Sequence, residues 1–262
     1  MQDRVVDRAA AYTTPGYLAI RDWLLIALSF SSGLYEAVCF LSFGKVFAGF
    51  QTGNLIFLGA GVAGTRPPNG PIPLTVIISL VAFAVGAAVA MPILHAFGAE
   101  TDVDEEGFVW PRRVSMTLAI GLVLEVAFFV IWLATSKSTG STDALIALDA
   151  MALGMQMNAI RSMHVPGTST TAFTATFIGL VSGAATWSLS RPATRRLLGA
   201  SVALAVGAWL GDFMLSHAHA YAPLVPVVVN AVVIAVALEV LNPKRQPASP
   251  SLASRNPTIQ AG

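Results

Sequence analysis

Runs of about 20 apolar residues recur along this chain, and each is long enough to cross the hydrocarbon core of a bilayer. Eight can be marked, over 23–43, 44–64, 74–97, 114–134, 144–163, 168–190, 197–217 and 222–241. Charge agrees with that reading. Only 11% of the 262 residues are charged, against roughly 25% in ordinary globular domains, and the mean hydropathy is +0.70. The first run is too long for a signal-peptide core and is expected to stay as a span. The chain therefore reads as an all-α polytopic membrane protein with the lipid bilayer as its first partner.

Two of the eight segments are atypical. The stretch Gly33–Gly59 carries Glu36, Lys45, Gln51, Thr52 and Asn54 inside apolar sequence. Polar groups there are costly unless paired or facing a cavity, and backbone that leaves the helix survives only where protein or water satisfies it. Thr52-Gly53-Asn54 falls between an extended-looking run, Val46–Gly49, and a helical one, Leu55–Val62. The step predicts a half-helix beginning near Asn54. Segment 168–190, rich in Thr and Gly, repeats the pattern.

The halves resemble each other. At a shift of 122, Glu36-Ala37 falls on Asn158-Ala159, Gly44 on Pro166, Thr52 on Thr174 and Leu58 on Leu180. At 121, Ala84–Ala87 meets Ala205–Ala208, and Leu124-Glu125-Val126 has a counterpart in Leu238-Glu239-Val240. The expected architecture is six full transmembrane helices plus two broken segments, half-helix or re-entrant, in two pseudo-symmetric repeats. Residues 1–22 form an N-terminal tail, 23–134 the first repeat with an acidic loop at 98–113, 144–241 the second repeat, and 242–262 a Pro/Ser-rich tail expected to be disordered.

Lys and Arg set the orientation. With the N-terminus inside and all eight segments crossing, they divide 11 inside to 4 outside; if segments two and six only dip in, the division is 12 to 3. Both place the two termini in the cytoplasm. Four crossings per half make parallel repeats and three make inverted ones; charge does not choose.

The candidate site residues follow from position. Glu36 lies 13 residues past Trp23, deep in the membrane, where a carboxylate can take a proton, coordinate a cation or serve as a structural acceptor. Thr52, Gly53 and Asn54 stand at a half-helix start, whose free N–H groups suit an anionic group. Gln156, Asn158 and Thr174 provide a second wall from the other half. Asp149 and Arg161 share their segment with Gln156. Glu125 is a pairing partner or proton relay. The glycine pairs Gly49/Gly53, Gly179/Gly183 and Gly207/Gly211 suit close helix packing.

Other chemistry finds little support. Asp102-x-Asp104-x-Glu106-Gly107 begins like a calcium loop, but Arg113 stands where the bidentate Glu is needed. His217-x-His219 has no third ligand nearby, so no metal site is expected. Hydrolase, zinc-protease and phosphate-loop motifs are missing, and neither a cofactor nor an enzymatic step is expected. A net charge of +1 makes no case for nucleic acid, and a single cysteine, Cys39, excludes an internal disulfide.

With Gly33-x-x-Glu36-Ala37, Gly44-x-Val46-Phe47, Thr52-Gly53-Asn54-Leu55 and the second-half run Ala152–Ala159 in view, the chain resembles the YoaK family of bacterial multi-pass membrane proteins over roughly 23–241. Glu36 replaces that family's usual Asp, and Gln51 its usual Met. The resemblance implies a bacterial inner-membrane protein with permease-like character. The expected function is a secondary transporter of a small solute of unspecified identity, with a proton or cation as coupling ion. The alternative is a non-transporting membrane sensor or partner protein.

Overall fold

A computed structural model describes residues 15–65, 70–96, 109–135, 139–165 and 192–241. Among these residues there are seven α-helices and no strand: α1 (Pro15–Ser42), α2 (Gln51–Val62), α3 (Pro73–Ala96), α4 (Arg112–Ala134), α5 (Thr139–Ser162), α6 (Pro192–His217) and α7 (Leu224–Val240), with a short 3₁₀ turn at His219–Tyr221. Segment six, with Thr174, lies outside the described residues, as do both tails and most of the acidic loop.

Five helices are long and apolar enough to cross a membrane: α1, α3, α4, α6, and α7 taken with its 3₁₀ turn. Helix α5 matches them in length, at 24 residues, but carries Asp143, Asp149 and Arg161. Its middle, from Leu145 to Ile160, has no exposed residue, whereas α3, α4, α6 and α7 each carry exposed apolar side chains. Helix α2 has 12 residues, about 18 Å at 1.5 Å per residue, too short for a core of about 30 Å.

Residue contacts fix the helix directions. Helices α1 and α6 run parallel: Asp22 pairs with Arg196 at 3.1 Å near one end, Gly33 lies against the Leu204 backbone, and Gly211 meets Leu34 farther along. Helices α3 and α5 are parallel too, from Thr75–Asp143 at 3.0 Å to Ala87–Asn158 at 2.8 Å. In contrast, α1 and α5 are antiparallel, joined by Ser32–Gln156 at 2.9 Å and Cys39–Asp149 at 2.9 Å. Helix α4 opposes α5, with Gly121 facing the Ala152 carbonyl and Glu125 beside Asp149. It also opposes α7, through Trp132–His219 and Glu125–Asn230. Hence α1, α4 and α6 point one way and α3, α5 and α7 the other.

Two pairs, α1·α6 and α3·α5, meet at backbone distance. Gly33 abuts the Leu204 carbonyl while Gly207 abuts that of Phe30; Gly154 abuts the Phe83 carbonyl while Gly86 abuts that of Met151. Only a residue without a Cβ permits such crossings. Adding 121 to Phe30, Gly33, Phe83 and Gly86 gives Met151, Gly154, Leu204 and Gly207, so one set of contacts maps onto the other. This correspondence places Gly33 opposite Gly154 and therefore Glu36 opposite Met157, one residue before the Asn158 that sequence alignment selects. In the interior, one apolar cluster around Phe43, Phe128, Trp132 and Ile146 fills one end of the bundle. Another, around Leu24, Trp110, Val114 and Ile160, fills the opposite end.

Candidate functional site

Helix α1 stops where the chain turns left-handed. Gly44 and Lys45 have φ of 75° and 71°, and the Lys45 N–H reaches back to the Phe40 carbonyl at 3.0 Å, a closure that glycine near a helix C-terminus favours. The chain then runs without helix to Phe50, folding back along α1. Lys45 sits over the Phe40 ring at 4.9 Å, and Phe40 stacks on Phe47 with centroids 4.6 Å apart. The half-helix begins at Gln51, slightly before the Thr52-Gly53-Asn54 step.

Buried backbone that leaves a helix needs a partner for each polar group, and from Phe47 to Phe50 side chains supply most of them. The Glu36 carboxylate accepts the N–H groups of Ala48 (3.1 Å), Gly49 (2.6 Å) and Phe50 (2.9 Å). Asn54 accepts the Phe47 N–H at 3.0 Å and donates to the Phe47 carbonyl at 2.7 Å. Ser79 on α3 also donates to that carbonyl, at 2.7 Å, and Gln51 donates to the Ala48 carbonyl at 2.6 Å. The anion that the turn's N–H groups attract is thus the chain's own Glu36. Gly53 leaves room for the Phe47 ring, whereas Thr52 is exposed on the outer side of α2.

Behind Glu36 lies a second polar layer. Asp149, fully buried, accepts the Cys39 thiol at 2.9 Å and stands within electrostatic reach of both Glu36 and Glu125. Asn230 donates to both oxygens of Glu125, at 2.7 and 2.9 Å. The Tyr35 hydroxyl lies beside Glu125 but outside hydrogen-bonding geometry. Gln156 donates to Ser32 at 2.9 Å and lines a cavity of about 10 Å³ with Glu125, Asn230, Leu28, Leu118, Gly121, Ala152 and Ile234. That space suits about one water. Three acids, Glu36, Asp149 and Glu125, are therefore buried together, with no Lys, Arg or His against them among the described residues.

The structure brings Glu36, Gly53 and Asn54 together in the turn and places Gln156 one layer away. It does not bring Thr52 or Asn158 to the acids: Asn158 donates to the Ala87 carbonyl on α3. Asp149, noted from sequence only as a neighbour of Gln156, joins the layers. Sequence reasoning missed Asn230, Tyr35 and Ser79. Asn230 had a signal, being the lone amide in the apolar run 222–241; Ser79 and Tyr35 had none.

Six long helices around a buried acidic layer that has no basic partner among the described residues, with a broken segment held largely by side chains, define a multi-pass α-helical membrane protein. The chain belongs to the family described as protein of unknown function DUF1275, whose profile matches residues 24–236. It is similar to the UPF0700 transmembrane protein YoaK of Bacillus subtilis (strain 168), with 28% identity over 166 residues that span 62% of this chain and 67% of the relative. This agrees with the YoaK resemblance carried by the sequence motifs. No solved structure matches.

Proposed function

We propose that this protein is a secondary transporter of a small solute in the bacterial inner membrane, coupled to a proton or cation, with both termini in the cytoplasm. The observation that carries the reading is the burial of Glu36, Asp149 and Glu125 at mid-bundle without a basic partner among the described residues. Ionisable groups at such depth are costly and characteristic of ion and substrate pathways.

The helix directions support six crossings. Because α1 and α3 point opposite ways, residues 43–72 leave and return at one end of the bundle, as a re-entrant segment does. Helix α5 likewise ends where α6 begins, and under this arrangement Lys and Arg divide 12 to 3 in favour of the cytoplasm. The shift of 121 then relates α1 to the oppositely directed α5, which is the inverted repeat common in transporters. Glu36, Gly53 and Asn54 build the turn. Solute contact falls to Thr52, to Gln156 and Asn158 from the second half, and to Thr174 beyond the described residues. The reading includes no chemical step.

The test is flux into vesicles containing the purified protein, across a panel of small solutes, with a proton or sodium gradient in either direction. Accumulation that follows a gradient is expected. Absence of flux under every gradient would favour the sensor or partner alternative, which has one observation of its own: Asp212 is exposed on α6 beside Trp209 and Phe213, on the outer face of the bundle.

A further inference from the structure

We infer that Glu125, Asn230, Tyr35 and Asp149, with the cavity beside Gln156, form a proton-binding site in which Glu125 carries the proton. This deepens the transport reading, and rests on it only for what the proton does.

The argument starts from unequal use of the three acids. Glu36 already accepts three backbone N–H groups. Protonating it would put a hydrogen where a donor already points. Glu125 accepts from a single amide nitrogen, so it has acceptor capacity left over. The atoms around it are short of hydrogens. Asn230 Oδ1 and Asp149 Oδ1 are buried acceptors without a donor, and the unpartnered donor among their neighbours is the Tyr35 hydroxyl. Unpaired buried acceptors are expensive, and added hydrogen is what they lack.

The location suits a shared site. The shift of 121 that exchanges Gly33 with Gly154 also exchanges Tyr35 with Gln156, and both approach Glu125, one beside its carboxylate and the other across the cavity. Glu125 thus sits where corresponding positions of the two halves meet. A proton arrives as hydronium: the Glu125 carboxylate takes H⁺, becomes a carboxylic acid and leaves one water, for which the cavity has room. A metal cation fits less well, since among the described residues no three His, Cys, Asp or Glu side chains converge on one point. The titratable groups facing Glu125 are Tyr35 from α1 and Asp149 from α5, with Glu36 and Cys39 of α1 facing Asp149. Helix α7 brings the neutral Asn230, and α3 carries only His95, in its last turn.

The test is an infrared pH titration of the full-length protein in vesicles, reading the C=O stretch of protonated buried carboxyl groups. The parent should show a band that grows as pH falls. Glu125→Gln should abolish it, and Glu239→Gln, at an exposed acid of α7, should leave it. Persistence in Glu125→Gln, loss in Glu36→Gln instead, or displacement by sodium at constant pH would each overturn the proposal. If Glu125→Gln fails to fold, Tyr35→Phe decides. It keeps the ring packed on Phe128 and removes the polar hydroxyl beside Glu125, so the midpoint should move to higher pH; an unmoved midpoint overturns the proposal. The band does not depend on flux. A band lost in Glu125→Gln, in a protein that carries nothing, retains the site and removes the transporter. Gradient-driven flux unchanged in Glu125→Gln, with the band still present, retains the transporter and removes the site.

Discussion

Gly49 donates its backbone N–H to Glu36 Oε1 at 2.6 Å, and a Cβ on Gly49 would meet that same oxygen at 2.7 Å. The bond exists because the side chain is absent. Gly49→Ala must move Glu36 and also press on Leu153, whose Cδ1 stands 3.2 Å from the added carbon. Overpacking of this kind costs about 1–3 kcal/mol. Thermal unfolding in detergent should register the loss; an unchanged melting temperature would show that the turn can shift.

Glu36→Gln should also destabilise. The amide keeps one acceptor oxygen and turns its NH₂ towards a backbone donor, leaving at least one of three buried N–H groups unpaired, at about 1–3 kcal/mol. Glu36→Asp keeps both oxygens but retreats by one methylene. With both acceptor oxygens kept for the backbone donors, it should be the milder change. The ordering of melting temperatures, parent above Asp above Gln, checks this, and a Gln variant as stable as the parent would refute it.

Much of this was legible in the sequence. Apolar length marked the spans, because a bilayer sets a minimum that few other constraints imitate. Glu36, Gly53 and Asn54 stood out because polar residues and glycine are conspicuous in apolar runs. What they bind was not legible. The N–H groups at the Thr52-Gly53-Asn54 half-helix start looked open to an anionic group, and only the fold shows that those just before it, at Ala48, Gly49 and Phe50, are closed by Glu36 from 12 to 14 residues earlier. Sequence matching pairs Glu36 with Asn158 while the backbone contacts pair Gly33 with Gly154, one residue apart, because Ala-rich sequence aligns almost equally well in several registers. Backbone contact at Gly33 and Gly154 does not.

The glycines separate cleanly by what surrounds them. Gly207→Ala drives a carbon into the Phe30 backbone, which cannot swing aside as a side chain can; a loss of about 1–3 kcal/mol or more is expected. Gly59→Ala, mid-helix in α2 with nothing within 4 Å, should gain about 0.5–1 kcal/mol from helix propensity. Equal effects of the two substitutions on thermal stability would contradict the crossing.

Asn54→Asp tests the clamp on Phe47. The variant keeps the acceptor for the Phe47 N–H but places a second oxygen against the Phe47 carbonyl and Ser79. A loss of about 1–3 kcal/mol is expected, with faster proteolysis between Phe43 and Gln51. A cleavage pattern like the parent's would place the clamp elsewhere.

Cys39 is the chain's single cysteine and is fully buried with its thiol on Asp149. Reactivity needs an accessible thiolate, so a maleimide should leave the folded protein unlabelled and modify it after denaturation. Rapid labelling of the folded protein would show that the acidic layer opens to water.

The crossing of α1 with α6 also bears on how the protein is made. Helix α1 is synthesised well before α6, yet the surface that Gly33 requires is on that later helix, which begins at Pro192. Until then the face of α1 holding Phe30 and Gly33 has no permanent neighbour. An earlier span is thus completed by a much later one, and a nascent chain cut short before α6 should present that face to lipid, and to quality-control proteases, as a mark of unfinished assembly.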